Sequence, residues 1–297
     1  MNFAVIEVGS TNTKAYLYKD GILEDLGARY IGFKTNYKKN NCLLDSDVNE
    51  LCSFIEEIKE QVDKIYIFGT SIFRNITDEQ REEFISMIKD KYDIDFRVVS
   101  ASEESSYTVK GVVDKLSKPM RLAVVIGGGG STEIAIVENG KTIRTLNLDF
   151  GAMDITEKFP ELKEDKVDTP FEEMLDYTLS LIPEIDENVD VMVLAGGDYI
   201  YFYETVGYAM EKNDIYEDSN QPYMLEFSIF NDYDYDILSE SLDDIKKRCP
   251  DNQGWWDGAR GMRFCMNAIS RRLNAKYIIP TRINMLIGLA HEIEKNK

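Results

Sequence analysis

Apolar positions along the chain follow two rhythms, and the shorter one occurs twice in nearly the same words. Residues 4–21, AVIEVGSTNTKAYLYKDG, align without a gap on residues 123–140, AVVIGGGGSTEIAIVENG, with Ala4/Ala123, Val5/Val124, Gly9/Gly128, Thr13/Thr132 and Gly21/Gly140 identical. Each copy predicts an apolar strand, a tight turn of Gly, Ser and Thr, an alternating strand, and a D-G or N-G turn leading into a third strand. A helical rhythm comes after the first copy. Val48, Leu51, Ile55, Ile58 and Val62 recur at helical spacing, with Asp45 or Asp47 placed to cap the start. KIYIFG (64–69) reads as a buried strand, 78–92 as a helix, FRVVS (96–100) as a strand, and SEESSYTVKGV as the start of another helix. After the second copy, TPFEEMLDYTLSLI reads as a helix and VDVMVLAGG (189–197) as a buried strand entering a glycine turn; 236–248, 259–273 and 281–296 read as helices.

Three strands, helix, strand, helix is thus the order in each half, and the join falls near Pro119 in KLSKPMR. The expectation is an α/β protein of two similar lobes, 1–119 and 120–297, whose last helix, about 281–297, is free to pack back on the first lobe. Two such lobes would present their strand-turn-strand loops to one another across a cleft. Backbone N–H groups of both turns would then hold one phosphate chain from two sides.

Composition narrows the function without fixing it. With 297 residues and 43% hydrophobic content, each lobe can bury a core. The start, MNFAVIEVGS, reads as a strand and not as a signal peptide, and no stretch approaches the roughly 20 apolar residues of a membrane span, so a cytoplasmic protein with no membrane partner is expected. Cys42, Cys52, Cys249 and Cys265 show no CxxC spacing, as suits reduced thiols. The formal net charge of −20 argues against nucleic acid as a partner. That charge is uneven: 157–190 carry 12 acids against 3 bases and 211–251 carry 12 against 4, whereas 252–297 carry 3 acids and 8 bases. An anion site therefore fits inside an acidic molecule. The single histidine, His291, reads as a helix-surface or terminal residue, which leaves acid-base chemistry to carboxylates, Lys or Tyr. Any metal would be a hard cation on oxygen ligands, Mg²⁺ by default.

Several segments carry candidate chemistry, each with a plainer alternative. GSTNTK (9–14) offers Ser10, Thr11 and Asn12 as donors, or is a simple hairpin turn. In GGGGSTE (127–133) four glycines in a hairpin cost conformational entropy, so Gly128, Gly129, Gly130, Ser131 and Thr132 are better explained by a close backbone approach to a phosphate. GTSIFRN (69–75) puts Thr70, Ser71 and Arg74 at a strand end, where open α/β sheets place ligands; Arg74 would fork onto a phosphate or pair with a carboxylate. Glu103 and Glu104, in SASEESS, either complement a helix dipole or supply a base for water. Gly196 and Gly197, in AGGD, form a further glycine turn. The Tyr-rich stretch 199–235 and the Trp255-Trp256 pair read as core and interface aromatics.

Taken in order, these motifs resemble the exopolyphosphatase and guanosine pentaphosphate phosphohydrolase (Ppx/GppA) family of the actin-like ATPase superfamily, over nearly the whole chain. EVGSTNTK looks like the family's DxGSNS, GTSIFRN like A-T-S-x-x-R, SASEESSYTVKGV like S-G-x-E-E-A and GGGGSTEIAI like DIGGGSTE. LDFGAMDITEKF is similar to L-x-x-G-x-x-x-L-T-E-x-F, and AGGD to a small-residue turn. The resemblance implies two RNase H-like lobes with a cleft between them, and an Mg²⁺-dependent phosphoric anhydride hydrolase acting on polyphosphate or a guanosine polyphosphate nucleotide, with a homodimer allowed. By position it implies Glu104 as the general base, Ser10, Arg74, Gly128–Gly130, Ser131 and Thr132 as phosphate ligands, and Glu7 and Glu133 as metal ligands.

The chain also departs from the family pattern. Glu7 stands for the first motif's aspartate, Ile126 for the aspartate of DIGGGSTE, and Asp198 for the Thr after the small-residue turn; Leu286 and Ile287 replace the Arg and Glu before Gly288. Two other readings therefore stand beside the hydrolase: a phosphate-binding regulatory protein of the same fold, supported by Ile126, and an ATP-dependent kinase or activator, for which EVGSTNTK also fits.

Overall fold

The computed structural model describes residues 2–10, 12–197, 199–216, 223–248 and 256–296. Thr11, Asp198, Cys249 and Trp255 lie outside these described residues. The chain forms two compact units, Met1–Gly111 with Met285–Lys297, and Val112–Asn284. Passage between them at Gly111/Val112 falls inside a helix rather than near Pro119, because the helix begun by SEESSYTVKGV runs on to Val113.

The first unit holds β1 (Phe3–Val8), β2 (Asn12–Lys19), β3 (Ile22–Tyr30), α1 (Phe33–Asn40), α2 (Asp45–Lys59), β4 (Lys64–Gly69), α3 (Ser71–Asn75), α4 (Asp78–Tyr92), β5 (Phe96–Val98) and α5 (Ala101–Val113). Its sheet runs β3-β2-β1-β4-β5, antiparallel through the first three strands and parallel from β1 to β5. The apolar run from Phe3 to Ile6 in β1 has a simple cause: both faces are covered. Ala4, Ile6 and Val8 join one core with Leu51, Ile55 and Ile58 of α2 and Phe73, Phe84 and Phe96. Phe3 and Val5 join another, with Tyr18, Phe68, Val99 and the last helix, α12 (Met285–Lys295), through Met285, Leu286, Leu289 and Ala290. Gly288 is where α12 meets α5; a Cβ there would fall inside the Tyr107 carbonyl. His291 is buried in this helix, at 8% exposure, and is not the surface residue its position near the terminus suggests: it follows Leu289 and Ala290 onto the helix's inner side.

Unit two repeats the plan. It contains β6 (Arg121–Gly127), β7 (Thr132–Glu138), β8 (Lys141–Leu148), α6 (Ala152–Lys158), α7 (Phe171–Ser180), β9 (Val191–Ala195), α8 (Tyr199–Val206), β10 (Glu211–Lys212), β11 (Tyr223–Glu226), α9 (Phe227–Ser239), α10 (Leu242–Arg248), α11 (Trp256–Arg272) and β12 (Tyr277–Pro280). The strand order β8-β7-β6-β9-β12 mirrors the first sheet, with β11 and β10 added beyond β12. β9 is buried throughout, as its apolar run requires.

The sequence repeat continues in space at a constant offset of 119. The hairpin turns after β2 and β7 both take left-handed backbone, at Asp20 (φ 52°) with Gly21 (84°) and at Asn139 (51°) with Gly140 (76°). That conformation is why D-G and N-G stand there.

Some elements differ from the sequence expectation. Neither Asp45 nor Asp47 caps α2, whose N-cap is Leu44 without a side-chain bond; Asp47 is instead turned inward, accepting from Asn36 Nδ2 at 3.0 and 2.9 Å. The helix expected over 236–248 is two helices, because Ser241 accepts from the Asp244 N–H (3.3 Å) and starts α10 afresh. Residues 281–284 precede α12 rather than belonging to it: the Thr281 hydroxyl donates to Leu194 O (2.7 Å) at the end of β9. Trp256 and Tyr203 are buried, as core aromatics should be, whereas Tyr235 is exposed.

Candidate active site

In the first unit the candidate residues gather at the carboxyl ends of β1, β4 and β5, where the parallel strands stop. The turn between β1 and β2 closes through Gly9 N–H to Asn12 O at 3.0 Å. A Cβ on Gly9 would lie 2.7 Å from Asn12 O, so the turn needs glycine there. The Thr70 N–H donates to Val8 O (3.1 Å), which brings the start of α3 beside this turn. Ser10 Oγ is shielded from solvent and has no hydrogen-bond partner among the described residues. A buried hydroxyl in that state is suited to an oxygen of a ligand. Asn12 is exposed, Thr70 buried and Ser71 half-buried at the first turn of α3.

Arg74 closes the group. Its Nη1 donates both to Val99 O, just past β5, and to Glu104 Oε2, each at 2.9 Å. Glu104 is thereby placed at the strand ends by an ion pair of two partly exposed side chains. Glu103 points elsewhere. Its Oε2 accepts from the Ser100 N–H (2.9 Å) and Oγ (2.9 Å) while Ser100 Oγ accepts from the Glu103 N–H (3.2 Å), a capping box at the start of α5. Oε1 pairs with Arg97. These bonds hold the Glu103 carboxyl below the usual carboxylate range, the Ser100 N–H contributing first. The structure therefore separates the two adjacent glutamates into one that starts the helix and one that stands with Arg74.

Glu7 lies on the same patch of backbone. The β1–β2 register sets it directly opposite Lys14, and the β1–β4 register beside Phe68. Burial raises its carboxyl to about 7 against the pull of Lys14; Glu104 adds to the rise and Arg74 opposes it. Lys14 was not among the residues singled out from the sequence. Its signal was there: counting outward from a turn closed by Gly9 and Asn12 pairs 8 with 13 and 7 with 14.

The second unit presents the equivalent strand end. Gly128 N–H donates to Ser131 O at 2.8 Å, the counterpart of the Gly9–Asn12 bond. The turn's carbonyls are taken from behind by the start of α6: Gly128 O accepts from Ala152 N–H (3.0 Å) and Gly129 O from Met153 N–H (2.7 Å). In the first unit Ser10 O accepts from Lys34 N–H (2.9 Å) at the start of α1, again 119 residues earlier. Gly151, the N-cap of α6, must be glycine because a Cβ would overlap Gly128 O. Its N–H donates to Asp154 Oδ2 at 2.8 Å. With the carbonyls so occupied, the N–H groups of Gly129, Gly130 and Ser131 donate to no carbonyl among the described residues, and all three residues are exposed. Consecutive free N–H groups on a turn make an anion-binding concavity.

One expected ligand, Thr132, is arranged otherwise. Thr132 is fully buried and its hydroxyl donates to Phe150 O (3.0 Å), so that side chain ties the turn down rather than reaching from it; Thr13 is likewise buried. Alternation accounts for both, since the first residue after each turn points into the core. Glu133 is flanked across its strand pairs by Ile126 and Asn147. Gly196 takes left-handed backbone (φ 82°), and a Cβ on it would meet Ile126 Cγ2 at 2.8 Å. Ile126 thus packs on the 196–197 turn, where the bond from the Gly196 N–H to Ile283 O (2.7 Å) holds Gly196 in place. Among the described residues no three His, Cys, Asp or Glu side chains group to hold a metal ion. The two carboxylates expected to hold Mg²⁺, Glu7 and Glu133, lie one in each unit.

Two α/β units of this topology, each with a glycine-tight turn at the end of its first strand, define the actin-like ATPase fold. The sequence profile of the Ppx/GppA phosphatase family matches residues 28–221, and the chain belongs to that family. A Ppx/GppA family member from Aquifex aeolicus superimposes with a TM-score of 0.79 at 20% identity, covering 100% of this chain and 99% of the other. An exopolyphosphatase from Cytophaga hutchinsonii gives 0.74 at 13% identity over 100% and 98%. In sequence, 151 residues are 26% identical to a bifunctional 3-dehydroquinate synthase/phosphatase of Fusobacterium nucleatum, covering 48% of this chain and only 22% of that protein. No helix among the described residues is long and apolar enough to cross a membrane.

Proposed function

We propose that the protein hydrolyses the terminal phosphate of a short linear phosphate chain, either inorganic polyphosphate or a guanosine pentaphosphate-like nucleotide. The observation that carries this reading is the Arg74–Glu104 pair standing beside a turn with an unpartnered Ser10 hydroxyl. In-line hydrolysis needs a water directed at phosphorus and positive charge on the phosphoryl oxygens. Glu104 accepts the water's proton as the new O–P bond forms. The bond from phosphorus to the bridging oxygen breaks, and the shortened chain leaves as an anion. Arg74 stays tied to Val99 O and keeps further N–H donors for a phosphoryl oxygen. Within the second unit, the glycine turn has three N–H groups that donate to no carbonyl among the described residues, an arrangement that by itself suits a phosphate.

A net charge of −20 favours a short chain or nucleotide over a long polyanion, whose approach it would slow. Release of inorganic phosphate from tripolyphosphate and from guanosine pentaphosphate, compared between wild type and Glu104→Gln, tests the proposal. Turnover by wild type that falls by a factor of roughly a hundred or more in the variant is expected for a lost general base. Equal rates would remove Glu104 from the chemistry. A phosphate-binding protein without turnover is the second reading, favoured by Ile126 at the strand end opposite Glu133. Binding of both compounds without phosphate release would establish it.

A further inference from the structure

Thioethers line the glycine turn of the second unit. A Cβ on Gly127 would meet Met262 Sδ at 2.5 Å and Met266 Cε at 2.9 Å, and one on Gly129 would meet Met153 Cγ at 3.3 Å. Met153 Sδ in turn lies 3.6 Å from the point that a Cβ on Gly258 of α11 would occupy. The three methionines differ in access. Met266 is fully buried and Met262 half-buried, whereas Met153, at 37%, is the one exposed methionine among the described residues. Its backbone is anchored as well, since its N–H holds Gly129 O at 2.7 Å. A thioether is apolar and only a weak acceptor. In that state it makes no claim on the N–H groups of Gly129, Gly130 and Ser131, which donate to no carbonyl among the described residues.

We infer that Met153 is an oxidation site that closes the glycine turn to anions: a peroxide converts its thioether to a sulfoxide, whose oxygen takes N–H donors that a phosphate would use. This rests on the reading of the turn as a phosphate site, and deepens it by adding a chemical control. Hydrogen peroxide is the oxidant. A sulfur lone pair attacks one peroxide oxygen, the S–O bond forms as the O–O bond breaks, and the departing hydroxide takes the proton of the transferred oxygen and leaves as water. Sulfur is oxidised by two electrons and the peroxide is reduced by two. The product is a polar side chain with a partly negative oxygen, carried by a residue already packed on Gly129. That oxygen both accepts from the turn and repels an incoming phosphate. Exposure makes the change selective and reversible. At Met153 the new polarity faces water, whereas at Met266, fully buried, it would cost the core an unsatisfied acceptor.

The test treats the whole chain with hydrogen peroxide, removes the excess, and titrates it calorimetrically with sodium tripolyphosphate in MgCl₂, for wild type, Met153→Leu and Met262→Leu. Peptide mass spectrometry reports which methionines have gained an oxygen. Treated wild type, oxidised at Met153, is expected to bind about tenfold or more weakly than untreated, as for lost hydrogen bonds to a charged group. Met262→Leu should lose as much on treatment. Met153→Leu keeps the backbone N–H to Gly129 O, and its affinity should be nearly the same before and after treatment, each variant being compared with itself. Methionine sulfoxide reductases should restore the affinity of treated wild type. Unchanged affinity in chain oxidised at Met153 would overturn the inference. So would an equal loss in Met153→Leu, or a Met153 that peroxide leaves unoxidised. Failure of the phosphate reading looks different: no binding by the untreated chain removes the phosphate site itself, whereas binding that oxidation leaves untouched removes only the role of Met153.

Discussion

Glu7→Gln should stabilise the protein at pH 8 and leave it unchanged near pH 4, because the native fold favours the neutral form of this carboxyl over the charged one. The Glu7 pKa rises from an ordinary 4.5 to about 7 on folding, chiefly through burial. A folded state that binds the proton more tightly than the unfolded chain gains stability at low pH. That stability is fully present below about 4.5 and is lost progressively as the pH rises through about 7. At about 1.4 kcal/mol for each pH unit between the two values, ionised Glu7 costs the fold about 3 kcal/mol above pH 8. This is an upper bound, since the residue keeps intermediate exposure. Glutamine cannot ionise and removes the cost. The assay is urea unfolding of wild type and variant at a series of pH values from about 4 to about 9, plotted as the difference between the two. Taking the difference matters because Asp234, buried beside Arg263, is also raised, to about 6, and gives wild type a similar slope of its own. That contribution cancels between the two proteins. A difference that stays flat with pH, or that favours wild type at pH 8, would show that folding does not raise the Glu7 pKa and would refute the argument.

Other predictions follow from packing and hydrogen bonding. Gly288→Ala drives a methyl into the Tyr107 carbonyl and should cost about 1–3 kcal/mol in thermal or urea unfolding, in line with overpacking elsewhere. Asp234→Ala leaves Arg263, only 4% exposed, without its carboxylate and should cost about 3–5 kcal/mol by the same measurement. Thr132→Val removes the bond to Phe150 O and should lower stability by about 1 kcal/mol while leaving tripolyphosphate affinity nearly unchanged, because its hydroxyl faces the core. Gly151→Ala should instead weaken tripolyphosphate binding measured by calorimetry, since its methyl displaces the Gly128 carbonyl and with it the turn.

How much of the molecule is legible in its sequence depends on range. The two turns are readable because glycine is demanded by local geometry, and β4 and α4 because a buried strand and an amphipathic helix carry their period within their own residues. α1, FKTNYKKN, buries only Phe33 and so has no period to read. The roles of Glu103 and Glu104 cannot be told apart in sequence. One residue of difference rotates the side chain by about 100° around the helix, and only the positions of Ser100, Arg97 and Arg74 decide which glutamate caps and which joins the strand ends. Lys14 escapes notice for a related reason. In an alternating strand it reads as an ordinary exposed position, and its neighbour across the sheet becomes visible only when the register is counted from the turn. Thr132 misleads for the opposite reason: a hydroxyl next to glycines looks like part of the turn, whereas alternation has already sent it inward.

The bonds from Lys34 N–H to Ser10 O and from Met153 N–H to Gly129 O span 24 residues in each half. Each works as a ruler. A helix N-terminus can reach back to its turn only while the two hairpin strands in between keep their register beside it, so an insertion there that no bulge takes up would unhook the turn from its support. The segments 9–34 and 128–153 are units of equal size, each carrying its own bulge and its own hairpin tip, and what each must conserve is the strand register beside its turn. Grafting one onto the other's sheet would ask whether the ruler, rather than the particular residues, is what keeps a turn open to an anion.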